Sequence, residues 1–341
     1  MNLSSTDELL GIIEALDRPR AFLLDTFFKN EKTFDTQTIN LDELDRAQQL
    51  APFVSPSVAG KIQRNRGMET RTFTPAYVKP KHAIDPAKTL QRRAGERFAG
   101  ELSPAARRDL IRADNLKIED EQITRREEWM ASQALQTGKT IVEGEDYPRK
   151  EIDFERNAAH TKVLSGAARW GETGVSPYKT VRGWATEGAK NSGVHMPKVI
   201  MDPLAAELFL EDPDLEKKLD NRRQMGGEAQ LFGAATGAQG EEVAFLGRVG
   251  QFEFWQYSAI YVDEAGNQQN FLPDYTVLMG SEKLEGVRCY GAILDHDSLV
   301  PLSRFPKEWR QDDPSVDYTM TQSAPLPVPQ RPDASMCITV R

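Results

Sequence analysis

The segment between Ser103 and Gly138 constrains the fold of this chain more than any other. No glycine or proline interrupts it after Pro104. Ser103 is a favoured N-cap residue, proline is favoured in a first helical turn, and a glycine commonly ends a helix. The pattern predicts a single helix over residues 103–137, a rod of ~50 Å. A typical globular helix has only about 11–12 residues, so this rod needs a long surface to lie on.

The apolar residues of this segment form one narrow stripe. Leu116, Ile123 and Met130 recur at every seventh position, and Ala113 and Ala134 fall on the same face. The other faces are rich in charge, as in residues 125–128. One apolar stripe on a charged rod predicts a helix that lies across the surface of a sheet.

Two short helices are predicted before this segment. Ser5 and Glu8 have the spacing of a capping box, which favours a helix through Leu16. A second short helix follows over residues 21–28 and ends at Phe27 and Phe28. Together these helices resemble an arm with apolar anchors, which needs a partner surface to bury them.

Residues 53–90 form a basic, proline-containing excursion. Residues 64–67 are a plausible turn between two extended limbs. Residues 61–93 contain nine Lys or Arg and two acids, whereas residues 201–300 contain seven bases and eighteen acids. Such an excursion could grip nucleic acid, with aromatic rings as stacking groups, or lie over an acidic surface of a neighbouring subunit. Composition alone leaves both interpretations open.

The remainder of the chain is mixed α/β. The patterns predict a Gly-rich loop over residues 232–240 and a helix that begins after the Asp202-Pro203 cap. Strands are predicted at residues 198–201, 251–257 with a continuation over 258–262, 276–279, 287–294 and, at a sheet edge, 336–340.

Motifs for catalysis and metal binding are weak. Residues 137–140 read Thr-Gly-Lys-Thr, but Gln133 replaces the first glycine of a phosphate-binding loop and the segment follows a helix. The four histidines are dispersed, and Cys289 and Cys337 are typical of buried filler. No apolar run approaches the roughly eighteen residues of a membrane span. We therefore expect no catalytic residue, cofactor, metal or membrane contact.

Several islands of sequence resemble the major capsid proteins of lambda-like phages. The most specific is residues 73–82, Phe-Thr-Pro-Ala-Tyr-Val-Lys-Pro-Lys-His. Others agree in order and span nearly the whole chain: Val54-Ser55-Pro56 with Gly60, Asn270-Phe271-Leu272-Pro273-Asp274, Phe305-Pro306-Lys307-Glu308-Trp309 and Gln322-Ser323-Ala324-Pro325-Leu326.

The resemblance implies an α+β fold of the Hong Kong 97 type. Its parts would be an N-terminal arm (1–50), an extended β-hairpin loop (51–92), a peripheral domain (93–160) with the spine helix (103–137), an axial domain (161–300) and a return to the peripheral domain (301–341).

The resemblance also implies a function. The chain would be the major capsid protein of a tailed double-stranded DNA phage and would assemble into the hexamers and pentamers of an icosahedral shell that encloses the genome. We expect intersubunit contacts at Phe27, Phe28, Lys61, Arg64, Arg66, Arg71, Phe73, Tyr77, Lys79 and Lys81.

The expected partners follow from the same resemblance. They are further copies of the chain, a scaffolding protein, a portal and a maturation protease in the host cytoplasm, and a decoration protein at three-fold positions of the virion capsid. DNA would be enclosed without sequence-specific contacts. Residues 65–70 contain no lysine, so we expect no Lys–Asn cross-link of the kind some relatives form. The alternatives are an encapsulin-like nanocompartment shell, a nucleic-acid-binding module that uses residues 61–93, and an enzyme of unrecognised type.

Overall fold

A computed structural model of the 341-residue chain describes residues 5–15, 21–44, 68–92, 102–144, 147–212, 242–296 and 301–341, together with positions 53, 56–57, 59, 96 and 215. The helices are α1 Thr6–Ala15, α2 Phe22–Phe27, α3 Pro86–Leu90, α4 Pro104–Thr137, α5 Pro177–Ser192 and α6 Pro203–Leu210. The strands are β1 Asn30–Thr33, β2 Ile39–Leu44, β3 Met68–Phe73, β4 Lys81–Ile84, β5 Lys139–Gly144, β6 Tyr147–Asp153, β7 Thr161–Val163, β8 Lys198–Met201, β9 Val243–Val249, β10 Phe252–Tyr257, β11 Ile260–Val262, β12 Gln268–Asn270, β13 Thr276–Gly280, β14 Gly286–Tyr290, β15 Phe305–Gln311, β16 Val316–Gln322, β17 Pro325–Pro329 and β18 Ser335–Thr339.

Helix α4 confirms the prediction for residues 103–137. The Ser103 hydroxyl accepts a hydrogen bond from the backbone N–H of Ala106, and Gly138 ends the helix with a φ of 73°. This left-handed conformation favours glycine, and the Cβ of any other residue would also meet Arg156. Leu116 and Ile123 are fully buried, as the apolar stripe predicted.

The two short N-terminal helices are also confirmed. At the start of α1, the N–H of Ser5 donates to the Glu8 carboxylate at 3.0 Å, and the N–H of Glu8 donates to the Ser5 hydroxyl at 3.3 Å. Helix α1 packs against β15 and α4, and α2 packs against α4. The arm therefore buries its apolar anchors within its own subunit.

The largest sheet has six strands in the order β7-β18-β13-β8-β10-β9. Helices α5 and α6 contribute to the apolar core around it, in which Val181, Phe209 and Met336 are buried. The prediction that residues 336–340 form an edge strand is wrong, because β18 lies between β7 and β13. The run from Met336 to Ile338 is buried on both faces, which suits an interior strand.

Two three-stranded sheets lie elsewhere in the fold, with strand orders β1-β14-β17 and β15-β16-β4. Strand β17 carries prolines at alternate positions and lies at a sheet edge, where a missing N–H breaks no ladder. The predicted strand over residues 287–294 is shorter, since β14 ends at Tyr290. Residues 258–262 do not continue β10; instead β11 pairs separately with β12.

Two hairpins complete the architecture. Strands β5 and β6 pair directly after α4, and sequence patterns did not predict this hairpin. Strands β2 and β3 pair from Ile39–Phe73 to Leu44–Met68, so the chain between them leaves and returns at one end of a hairpin. The predicted turn at residues 64–67 and the predicted loop at residues 232–240 lie outside the described residues. The domain boundaries given above stay a prediction.

Candidate assembly site around the spine helix

Strand β3, the returning limb of the basic excursion, is anchored on its own subunit. Arg71 donates from Nη1 to the backbone carbonyl of Phe154 at 3.1 Å and forms an ion pair with Glu155 at 2.9 Å. Phe73 is buried, and its ring lies 5.7 Å from that of Phe154. These contacts fix the base of the excursion to the segment that follows β6.

The next residues run along the C-terminal part of the same chain. The Tyr77 hydroxyl donates to Gln322 at 3.0 Å and accepts from the N–H of Leu294 at 2.9 Å. Burial is the main reason that the pKa of Tyr77 is raised. The Lys79 ammonium lies 4.7 Å from the centre of the Tyr77 ring, a favourable cation–π arrangement.

Lys81 occupies a similar aromatic site on the β15–β16 hairpin. Its ammonium lies 3.9 Å from the Tyr318 ring and 4.9 Å from the Trp309 ring. The two rings stack on each other at 5.5 Å. Like Tyr77 and Lys79, Lys81 therefore has its observed contacts within its own subunit.

The remaining predicted contact residues fall into two groups. Phe27 and Phe28 are buried, and their side chains or backbone lie so close to Gly280 and Gly286 that a Cβ at either glycine would clash. Lys61, Arg64 and Arg66 lie outside the described residues. A single subunit holds no neighbour, so the intersubunit role of every one of these residues stays a prediction.

Sequence reasoning missed a set of buried charges on α4, which lie three or four residues from members of the apolar stripe and so share its side of the helix. Glu119 is fully buried and accepts hydrogen bonds from Thr319 at 2.9 Å and Thr321 at 2.7 Å. Nδ1 of His82 lies 3.2 Å from the same carboxylate. Burial raises the pKa of Glu119, and these hydrogen bonds oppose the shift. The contacts join the spine helix to β16 and to the end of the basic excursion.

Arg304 contacts two further acids of the spine helix. Its Nε lies 2.8 Å from Asp120 and its Nη1 lies 2.6 Å from Glu127. Burial disfavours the charge, but Glu127, Tyr290 and Asp120 together outweigh it and hold the pKa of Arg304 above its usual range. Removing one partner of such a pair leaves a buried charge uncompensated, which is strongly destabilising.

Further ion pairs attach the N-terminal half of the helix to the β15–β16 hairpin. Arg112 donates twice to Glu308, at 3.1 and 2.9 Å, and the Glu308 side chain is fully buried. The Asp317 carboxylate forms ion pairs with Arg310 at 2.6 Å and with Arg108 at 3.6 Å. The hydrogen bond from Arg310 is the main reason that the pKa of Asp317 is lowered, and the charges of Arg310 and Arg108 lower it further.

Glu128 connects the helix to the N-terminal arm. Its two carboxylate oxygens accept the backbone N–H groups of Leu23 at 2.8 Å and Leu24 at 3.0 Å, and Tyr257 donates its hydroxyl at 2.9 Å. Burial raises the pKa of Glu128 to about 7 against the opposing hydrogen bonds. One carboxyl group therefore joins α2, the spine helix and β10.

The buried charges of α4 and their partners attach the helix to the rest of the subunit, and we call this set of contacts the anchoring platform. Its contacts are structural rather than catalytic. The two cysteines are buried as predicted, and burial raises the pKa to about 12 for Cys289 and about 11 for Cys337. Within the described ranges, no group of three or more His, Cys, Asp or Glu side chains is placed to hold a metal ion. No helix in that same part of the chain is long and apolar enough to cross a membrane.

Comparison with known proteins gives one consistent result. A family model described as phage major capsid protein E matches residues 5–340. The major capsid protein of Enterobacteria phage P21 is 34% identical over 346 residues, and the match covers all of both chains. The major capsid protein of Escherichia phage lambda is 33% identical over 338 residues, 98% of each chain.

Solved structures agree. The crystal structure of a prophage capsid protein from E. coli CFT073 has a TM-score of 0.76 at 27% identity, covering 98% of this chain and 99% of that one. A phage-related protein from Bordetella bronchiseptica RB50, 12% identical, shares the fold with a TM-score of 0.53 over 97% of this chain and 95% of that one.

Proposed function

Because this chain belongs to the phage major capsid protein E family, we propose that it forms the hexamers and pentamers of an icosahedral phage head, with the basic excursion as a contact between neighbouring subunits. The observation that carries the function is the full-length match to curated major capsid proteins of lambda-like phages. The protein is a structural capsid protein and not an enzyme, and proteins of this kind assemble into multimeric shells. The relatives are phage head proteins, which favours a head over a nanocompartment shell.

The structure narrows the choice of residues for the intersubunit contact. Arg71 forms an ion pair within its own subunit, and Lys79 and Lys81 lie over aromatic rings of that subunit. The charges of these three residues therefore already have partners. Lys61, Arg64 and Arg66 belong to the segment that joins β2 to β3, the tip of the hairpin in sequence. We assign the steering contact to these three cations. Residues 201–300 carry eleven more acids than bases, and we assign the acidic side of the contact to this part of the chain.

Opposite charges on two parts of one chain favour correct register between copies. Each contact is modest, but a closed shell repeats it many times, so the assembly is stable although single contacts are weak. Exposed charge pairs are screened by salt, with a Debye length of about 3 Å at 1 M. Early assembly should therefore slow at high ionic strength while the folded subunit persists.

The further partners are proposed on the family alone. They are a scaffolding protein, a portal and a maturation protease in the host cytoplasm, and a decoration protein at the three-fold positions of the finished head. Packaged DNA would lie inside without sequence-specific contacts.

The test is a double charge reversal, Arg64→Glu with Arg66→Glu. We expect subunits that unfold like the wild type but form far fewer shells in electron micrographs, because like charges would face each other at the contact. The matched control is Lys150→Glu with Arg169→Glu, which changes net charge equally at two exposed positions elsewhere. Shells at wild-type yield from the Arg64/Arg66 variant would refute the assigned contact. Arg71 is left intact, since its reversal would place a carboxylate beside Glu155.

A further inference from the structure

A cavity with basic walls lies between α5 and the start of β10. Its volume is about 370 Å³, and its lining includes Arg182, Lys190, His195 and Gln251. None of the eight lining residues carries a carboxyl group. The capsid family and the anchoring platform on α4 leave this cavity unexplained.

The charged and polar side chains that line the cavity are available to bind a ligand. Neither Arg182 nor Lys190 forms an ion pair with any residue in the described part of the chain, although nearby cations such as Lys162 do. The Nε2 atom of His195 is buried and lacks a hydrogen-bond partner among those same residues. An unpaired buried ring nitrogen is costly, whether it donates or accepts.

The geometry defines the size and character of the ligand. Arg182 and Lys190 lie eight residues apart on α5, which places their Cα atoms ~12 Å apart along the helix. Ala185, Ala189 and Phe252 provide an apolar wall between the two cations, and the His195 ring packs at 5.5 Å against Phe252. Two cations, an amide and a ring nitrogen around a small open space match the many acceptor oxygens of a tetrahedral oxyanion.

We propose that this cavity between α5 and β10 binds a phosphate-type oxyanion. Arg182 and Lys190 supply the charge, Gln251 supplies an amide donor, and the His195 ring supplies a further N–H donor. The phosphate has two possible sources, free inorganic phosphate and the phosphodiester backbone of a nucleic acid, and they share this chemistry.

The first test measures binding of inorganic phosphate to the full-length subunit by titration calorimetry. We expect saturable binding by the wild type, and an affinity about 10- to 100-fold lower for Arg182→Gln with Lys190→Gln, because each loses a charge-assisted hydrogen bond. Both side chains are exposed, so the fold should persist. The control, Lys150→Gln with Arg169→Gln, removes the same charge outside the cavity and should bind phosphate like the wild type.

A second variant tests the ring nitrogen. His195→Phe keeps the packing on Phe252 but removes both nitrogens, and we expect roughly 3- to 10-fold weaker phosphate binding. A short double-stranded DNA then separates the two sources. DNA binding that phosphate competes away identifies the phosphodiester, whereas phosphate binding without DNA binding identifies the free anion. The proposal is overturned if phosphate shows no saturable binding up to about 10 mM, or if the Arg182/Lys190 variant binds it as tightly as the control.

Discussion

The carboxyl group of Glu128 should make the folded subunit less stable as the pH rises towards neutrality. Its folded-state pKa is about 7, raised by burial from an ordinary value of 4.5. The folded state therefore binds a proton more tightly than the unfolded state does. The stabilising effect of this proton is fully present below pH 4.5 and is lost as the pH rises towards and through about 7. A shift of this size corresponds to roughly 3 kcal/mol at 1.36 kcal/mol per pKa unit.

The perturbation is Glu128→Gln, which is neutral at every pH. Glutamine replaces one accepting oxygen by an NH2 group that faces a backbone N–H of Leu23 or Leu24, so the variant is less stable than the wild type at low pH. This loss of stability comes from the glutamine itself and does not change with pH. The stability difference, wild type minus variant, should therefore fall by roughly 3 kcal/mol between pH 4 and pH 8.

The assay is urea unfolding followed by tryptophan fluorescence, at concentrations where sedimentation shows single subunits. Other titrating groups cancel in the difference between the two proteins. Glu121→Gln is the matched control, because Glu121 lies on the same helix with a partly exposed side chain and only a distant pair to Lys117 at 4.0 Å. A wild-type-minus-Glu128→Gln difference that stays constant from pH 4 to pH 8 would refute the reasoning.

Two further substitutions test the anchoring of the spine helix, and a third experiment tests the burial of the two cysteines. Arg304→Met leaves Asp120 and Glu127 without their buried partner and should lower the free energy of unfolding by about 3–5 kcal/mol in urea; a loss below ~1 kcal/mol would contradict the assigned role. Leu116→Ala should lower the free energy of unfolding by about 2–5 kcal/mol because the side chain is fully buried. Ile118→Ala, at a position that is 41% exposed, should lower it much less, and equal losses would contradict the assignment of the apolar stripe to the core. Neither cysteine should react with a thiol reagent at pH 8 until the chain unfolds, because both thiols are buried with raised pKa values, and rapid modification of the native subunit would contradict this.

Features with local sequence signals could be predicted. The spine helix begins and ends where Ser103 and Gly138 indicate, and the capping box of α1 forms as its spacing suggested. The cap at Asp202 follows the same rule, since the Asp202 carboxylate accepts the N–H groups of Leu204 and Ala205. In each case the deciding contacts lie within a few residues along the chain.

Features that depend on distant partners were missed or misjudged. The partners of Glu119 on β16 lie about two hundred residues away, so its charge resembled that of a solvated helix face. The same holds for Arg304, which was not singled out. Strand β18 was expected at an edge because it follows a proline-rich tail, but its neighbours β7 and β13 come from other parts of the sequence. Local pattern carries no information on which strands will flank it.

The basic segment over residues 71–82 illustrates both outcomes. Its irregular, proline-containing character was correctly recognised, and β3, the bridge at Val78 and β4 are its only regular pairings among the described residues. Its charges were expected to lie on another molecule. The structure instead places Arg71 and Lys81 on groups of the same subunit.

Electron microscopy of the purified full-length protein, alone and with a candidate scaffolding protein, tests the central claim most directly. If the chain is a head protein whose copies are joined through the basic excursion, closed shells of uniform diameter should form, and their yield should fall at high salt. A protein that remains a single subunit under every assembly condition would contradict the account.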